Sequence, residues 1–256
     1  METLKITRRD QYAVVQLNRG KANPVNHQMV NELQLTFEAI ENDVEIGGVI
    51  LTGTPNFFSA GLDVIELYSY NEDQIRSFML DFGAMHVQLS RFSKPFICAI
   101  PGHCPAGGTV IAITADYRVM NDDPAFSLGL NEMKVNVQIT TNLIEAYSYW
   151  IGTSLANRFI LEGKLLTPSQ ALQVHLVDEI CKSDQVMLRA EAKMAEYLKA
   201  DKDIFAYTKS KLRKRWHEVQ DLGGGEELEQ TLKVWWKPEI RAKIAALIAQ
   251  FSNKKK

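Results

Sequence analysis

Two stretches, Phe58-Ser-Ala-Gly-Leu-Asp63 and Gly102-His-Cys-Pro-Ala-Gly-Gly108, decide how the rest of this chain is read. Each sets small residues directly after an apolar run, residues 48–52 and 96–100, that reads as a buried strand. Small residues leave room for a ligand to lie against backbone N–H groups. Two such donors converging on one point form an oxyanion hole, which stabilises negative charge that develops only during reaction. Alone, a strand followed by glycine is an ordinary turn. The pair, in this order, carries the information.

Outward from these stretches, residues 4–8 and 12–17 read as strands joined by a turn at Arg9-Asp10. Met29, Val30, Leu33, Leu35, Phe37 and Ile40 recur at helical spacing, and residues 73–90 show the same period. A helix is expected from the glycines through residues 110–114, then strands at 117–120 and 125–128 around a turn at 121–124. The repeating strand–strand–helix unit predicts an α/β fold of stacked turns rather than a simple doubly wound sheet. Thr167-Pro168 opens a further helix running to Val174, as N-cap and first-turn proline, and residues 176–181 read as a last strand.

The chain divides into a core, residues 1–200, and a charge-rich helical region, residues 201–256, with a break at Gly223-Gly-Gly225. In that region Trp235, Trp236, Ile240, Ile244, Leu247, Ile248 and Phe251 form an apolar set larger than a surface tail needs. It is expected to cover a neighbouring subunit, with packing on its own core as the alternative. Lys254-Lys-Lys256 reads as a solvated end.

A chain of 256 residues can bury a sizeable core. A net charge of −2 gives no reason to expect nucleic acid or an anionic membrane as partner. No apolar leader or membrane-length run is present in the sequence. The three cysteines have no framework spacing, which suits free thiols, and neither they nor the five histidines cluster as metal ligands. A cytoplasmic protein of bacterial type is the expectation.

Taken together, the two stretches closely resemble those of the crotonase (enoyl-CoA hydratase/isomerase) superfamily, over nearly the whole chain. The resemblance implies a crotonase-like spiral of ββα units with a C-terminal helical trimerisation region, assembled as a homotrimer or a dimer of trimers. It implies an acyl-CoA thioester as substrate, with coenzyme A as part of that substrate and no separate cofactor or metal. It assigns the oxyanion hole to the N–H groups of Ala60 and Gly107, with a helix dipole beginning at Gly108 adding to the field. Coenzyme A is expected against Lys21, Ala22 and Asn23, the run Ala60, Gly61, Leu62, Asp63 and Val64, and Gly107 and Gly108. Asp63 is read as a loop-fixing carboxylate or N-cap. Lys209, Lys211 and Lys214 are candidates for the 3′-phosphate.

An enolate also needs a proton carrier. Gly129-Leu-Asn-Glu132 matches the family stretch whose glutamate points at the substrate α-carbon. Burial of that carboxyl would raise its pKa and make it a better base near neutrality. Hydratases of the family use a second glutamate, three residues after the oxyanion glycine. Here that position is Val110, which can neither orient water nor accept a proton. Moving a double bond needs no water, and one glutamate can take a proton from C2 and return it at C4. Both motifs are similar to those of the mitochondrial-type Δ3,Δ2-enoyl-CoA isomerase branch, which makes isomerisation of 3-enoyl-CoA to trans-2-enoyl-CoA the expected activity. A hydratase or another crotonase-type acyl-CoA reaction, with Asn136, Gln138 or a side chain from residues 68–76 as second polar group, is the alternative. A non-catalytic acyl-CoA-binding scaffold is a further one. His103 and Cys104 are set aside as base and nucleophile. His175 stands where relatives carry glycine and is expected to mark a changed turn.

Overall fold

The computed structural model describes residues 1–222 and 224–253, without the side chains of 251–253. Gly223 of the expected break, the Phe251 side chain and the lysines at 254–256 lie outside the described residues. The chain begins with an antiparallel hairpin, β1 (Leu4–Arg8) and β2 (Ala13–Leu17). α1 (His27–Asn42) follows, capped by Asn26, whose side chain accepts from the Met29 N–H at 3.0 Å.

Three turns of a spiral come next, each placing one strand in a large sheet and one in a small sheet. The first holds β3 (Val49–Thr52), β4 (Asn56–Phe57), α2 (Val64–Ser69) and α3 (Glu72–Arg91). The second holds β5 (Phe96–Ile100), β6 (Gly102–Pro105) and α4 (Gly107–Ala112). The third holds β7 (Tyr117–Asn121), β8 (Leu128–Gly129), α5 (Glu132–Val135), α6 (Thr141–Ile151), α7 (Thr153–Glu162) and α8 (Pro168–Gln173). β9 (Glu179–Cys181) and α9 (Val186–Tyr197) close the core. The large sheet has the order β1-β2-β3-β5-β7-β9 and is parallel from β2 onward; the small parallel sheet is β4-β6-β8. These are the stacked turns expected from the strand–strand–helix repeat.

The continuous apolar runs are explained by burial on both faces. Side chains alternate across a strand, so Val49, Leu51, Phe96, Cys98 and Ile100 enter the main core. Ile50, Ile97 and Ala99 enter a second core, closed by Val186, Ala190 and Met194 of α9. Departures from expectation are local. Of residues 125–128 only Leu128 is in a strand, and residues 176–178 precede β9 rather than belong to it. Leu176 N–H donates instead to Ala171 O at 2.8 Å, completing the end of α8. His175 has φ +61°, so the left-handed turn persists without glycine, correcting the expected change.

Four helices finish the chain: α10 (Lys202–Leu212), α11 (Lys214–Asp221), α12 (Gly225–Trp235) and α13 (Pro238–Asn253). Trp216, Leu232, Trp235 and Ile244 are buried in the same cluster as the strands, with Trp236, Ile240 and Ile248 packed against it. Arg241 Nη2 donates to Tyr68 O at 2.7 Å, pinning α13 over α2. Five of the seven residues of that apolar set, Trp235, Trp236, Ile240, Ile244 and Ile248, therefore pack on this chain's own core.

Lys209 is corrected as a phosphate contact. Its ammonium donates to Asp116 Oδ2 at 2.7 Å and Lys94 O at 3.0 Å, while Arg213 takes the other Asp116 oxygen at 2.8 Å. Burial lowers its pKa to about 8, against the pull of Asp116. Lys211 and Lys214 remain on the surface.

Candidate active site

The first of the two diagnostic loops meets the loop after β2. Val25 N–H donates to Gly61 O, Asp63 N–H to Val25 O and Ala60 N–H to Ala22 O, each at 2.8 Å. Asn23 locks the contact, donating from Nδ2 to Phe58 O at 3.0 Å, and Ser59 Oγ donates to Asn23 O at 2.7 Å. Asp63 caps α2 by accepting from Glu66 N–H at 3.1 Å, and its other oxygen meets Arg19 Nη1 at 2.6 Å. Arg19 also reaches Glu66 Oε2 at 2.8 Å and was not singled out in the sequence. The loops expected to surround coenzyme A are thus brought together, with Lys21 and Ala60 exposed at their edge.

The N–H of Ala60 is engaged by Ala22 O, so it is not a free donor and the expectation for Ala60 is corrected. Two residues on, Leu62 N–H donates to no acceptor among the described residues, and neither does Gly107 N–H at the start of α4. These two are adjacent: a Cβ built on Gly107 would lie 3.2 Å from Leu62 N. Only glycine leaves that space open. Ala106, just before, has φ +49° and ψ −122°, a strained conformation for a residue with a Cβ. It is held by Ala106 N–H donating to Gly129 O at 2.8 Å. Thr109 ties the same strands, its hydroxyl accepting from Gly129 N–H at 2.8 Å and donating to Cys104 O. Nothing in the local pattern marks Thr109, whose partner lies in another turn of the spiral.

Leu62, Gly107, Val110 and Glu132 all line one cavity of about 940 Å³. α3, α6 and α12 supply most of its remaining wall, with apolar side chains such as Ile75, Phe78, Leu143 and Trp235. Glu132, the first residue of α5, is 7% exposed, and its Oε2 has no hydrogen-bond partner among the described residues. Burial raises its pKa from 4.5 to about 7, opposed only by a hydrogen bond from its own backbone. The phenol of Tyr147 is also buried, and burial together with the Glu132 charge pushes its pKa upward. Glu226 and Glu227 also line the cavity, but Glu226 is exposed and Glu227 accepts from Thr141 N at 2.7 Å and Oγ1 at 2.9 Å.

Other candidates lie elsewhere. His103 sits between Phe57 and Phe126, away from the cavity wall, and burial lowers its pKa. Cys104 is buried, which raises its thiol pKa well above the ordinary value. Asn136 is held by Lys243 Nζ, which donates to Oδ1 at 3.0 Å, whereas Gln138 lies on the cavity wall.

A family model described as enoyl-CoA hydratase/isomerase matches residues 7–254. The chain belongs to that family. It is 34% identical to the mitochondrial enoyl-CoA delta isomerase 1 of Mus musculus over 203 residues, 79% of this chain and 70% of that protein. It is 28% identical to the 2,3-dehydroadipyl-CoA hydratase of Escherichia coli K12 over 202 residues, 77% of each. The crystal structure of human mitochondrial delta3-delta2-enoyl-CoA isomerase matches with a TM-score of 0.95 at 26% identity, covering 99% of this chain and 100% of that one. This family member is therefore an enzyme with the crotonase fold, and its chemistry is a crotonase-type acyl-CoA reaction.

The comparisons also correct the cytoplasmic expectation. The mouse relative and its rat and human counterparts are mitochondrial proteins. Free thiols and a small net charge do not separate one reducing compartment from another.

Proposed function

We propose that this enzyme moves the double bond of a 3-enoyl-CoA to give the trans-2-enoyl-CoA. The observation that carries the reading is a cavity wall with one buried carboxylate, Glu132, and an aliphatic side chain, Val110, three residues after Gly107. Ionised Glu132 takes the proton from C2. The electron pair passes into the thioester carbonyl, and the resulting oxyanion of the dienolate accepts from the N–H groups of Leu62 and Gly107. Protonated Glu132 then delivers its proton to C4, the double bond settles between C2 and C3, and the carboxylate is regenerated. Apolar walls keep water from the dienolate and strengthen both N–H contacts. The loops carrying Lys21, Ala22, Asn23, Ala60, Gly61, Asp63, Val64 and Gly108 are proposed to hold coenzyme A.

The hydratase reading draws on the similarity to the Escherichia coli hydratase and on the place of Gln138 on the wall. An amide is no substitute for a second acid–base group. Side-by-side turnover of trans-3-hexenoyl-CoA and a trans-2-enoyl thioester of equal length tests the choice. Isomerisation of the first is expected to exceed hydration of the second by at least about a hundredfold. Comparable rates would return the assignment to a hydratase.

A further inference from the structure

Away from the loops that carry Leu62, Gly107 and Glu132, the cavity wall includes a fully buried histidine, His86 of α3. Its hydrogen bonding can be followed atom by atom. Trp216 Nε1, which can only donate, donates to Asn142 Oδ1 at 3.1 Å. That fixes the amide, so its Nδ2 is the group facing His86 Nδ1, at 3.1 Å. Nδ1 is then an acceptor, and in the neutral ring the proton sits on Nε2. Burial and the charge of Arg213 lower the His86 pKa to about 3, so the ring is neutral near pH 7. Nε2–H is a buried donor with no partner among the described residues. Such a group is costly in an apolar wall unless something accepts from it.

We propose that His86 reads a neutral oxygen acceptor, such as a ketone, on the distal part of the acyl chain, making this site selective for oxygenated acyl-CoA. The proposal rests on the reading of the cavity as an acyl-CoA site. With the thioester carbonyl between Leu62 and Gly107, the proposal places the acyl chain beyond the reacting carbons against His86. A carboxylate fits less well. The nearby cation, Arg213, already donates to Ser90 O, Thr114 O, Ala115 O and Asp116, leaving a buried charge without a counter-ion.

The test is calorimetric binding of saturated acyl-CoA pairs, which cannot react, matched in length and differing only in a ketone near the chain end. At the length that reaches His86, the ketone is expected to bind about tenfold tighter than the alkyl chain. His86→Phe should bring the ratio to about one, and His86→Gln, which keeps an N–H, should retain part of it. Equal or tighter alkyl binding at every length in the wild type overturns the proposal, as does an unchanged ratio in His86→Phe. The wild-type comparison stands even if both variants misfold. Failure of both members of every pair to bind would instead overturn the acyl-CoA reading itself.

Discussion

Glu132→Gln is expected to lower kcat/KM for 3-enoyl-CoA isomerisation by about 10²- to 10⁴-fold, the usual contribution of one positioned acid–base group. Here one group makes both transfers, so the upper part of that range applies. Saturated thioester binding should change little, because the amide has nearly the same shape. In the wild type, kcat/KM should rise with pH and level off above about 7, because only ionised Glu132 can take the C2 proton. Stability should run the other way. The folded-state pKa is raised above the unfolded 4.5, so the folded chain holds its proton longer and stability falls as pH rises between these values. Glu132→Gln removes that penalty. The variant should be more stable than wild type at pH 8, by about 3 kcal/mol at most, with the difference shrinking toward pH 4. Thermal melts at both pH values, beside steady-state kinetics, check both halves. A dead variant that is also less stable at pH 8 would point to misfolding rather than to loss of a base.

Gly107→Ala is expected to cost about 10²- to 10³-fold in kcat, the effect of losing an oxyanion donor. The added methyl would stand 3.2 Å from Leu62 N and 3.2 Å from Leu62 Cδ2, between the two donors. It would hold the thioester oxygen away from both without deleting either N–H. The leucine end can yield by a few tenths of an ångström, but Leu62 N, and Gly61 C at 3.4 Å, are backbone, so the loop must shift slightly and the fold is checked beside the rate. Kinetics on the folded variant, with its circular dichroism compared to wild type, is the measurement. Near-wild-type turnover would place the oxyanion elsewhere.

The large sheet was legible because strands buried on both faces appear as unbroken apolar runs, as at residues 49–52 and 96–100. The small sheet was not, because β4 and β8 are two residues long and show no period. The family resemblance assigned the first oxyanion donor to Ala60. Every non-proline residue has an N–H, however, and Leu62 is left free because Ala60 N–H donates to Ala22 O, Gly61 N–H to Ser59 Oγ and Asp63 N–H to Val25 O, an arrangement set largely by the loop after β2. Glu132 was recognised by its motif; the packing around its helix comes from α7 and α13, which no local pattern at Glu132 reveals. His86 lay hidden between Met85 and Leu89 in a helical stripe, because Asn142 and Trp216, which define its protonation, are distant in sequence.

Isotope transfer shows whether a single carboxylate, Glu132, carries the proton from C2 to C4. A 3-enoyl-CoA deuterated at C2 would be converted in ordinary water and the product analysed at C4. Glu132 is only 7% exposed, so its captured deuteron should return to substrate faster than it exchanges with solvent. The account predicts measurable deuterium at C4 of the trans-2-enoyl product. Product whose new C4 hydrogen comes wholly from water, from the first turnover onward, would contradict it.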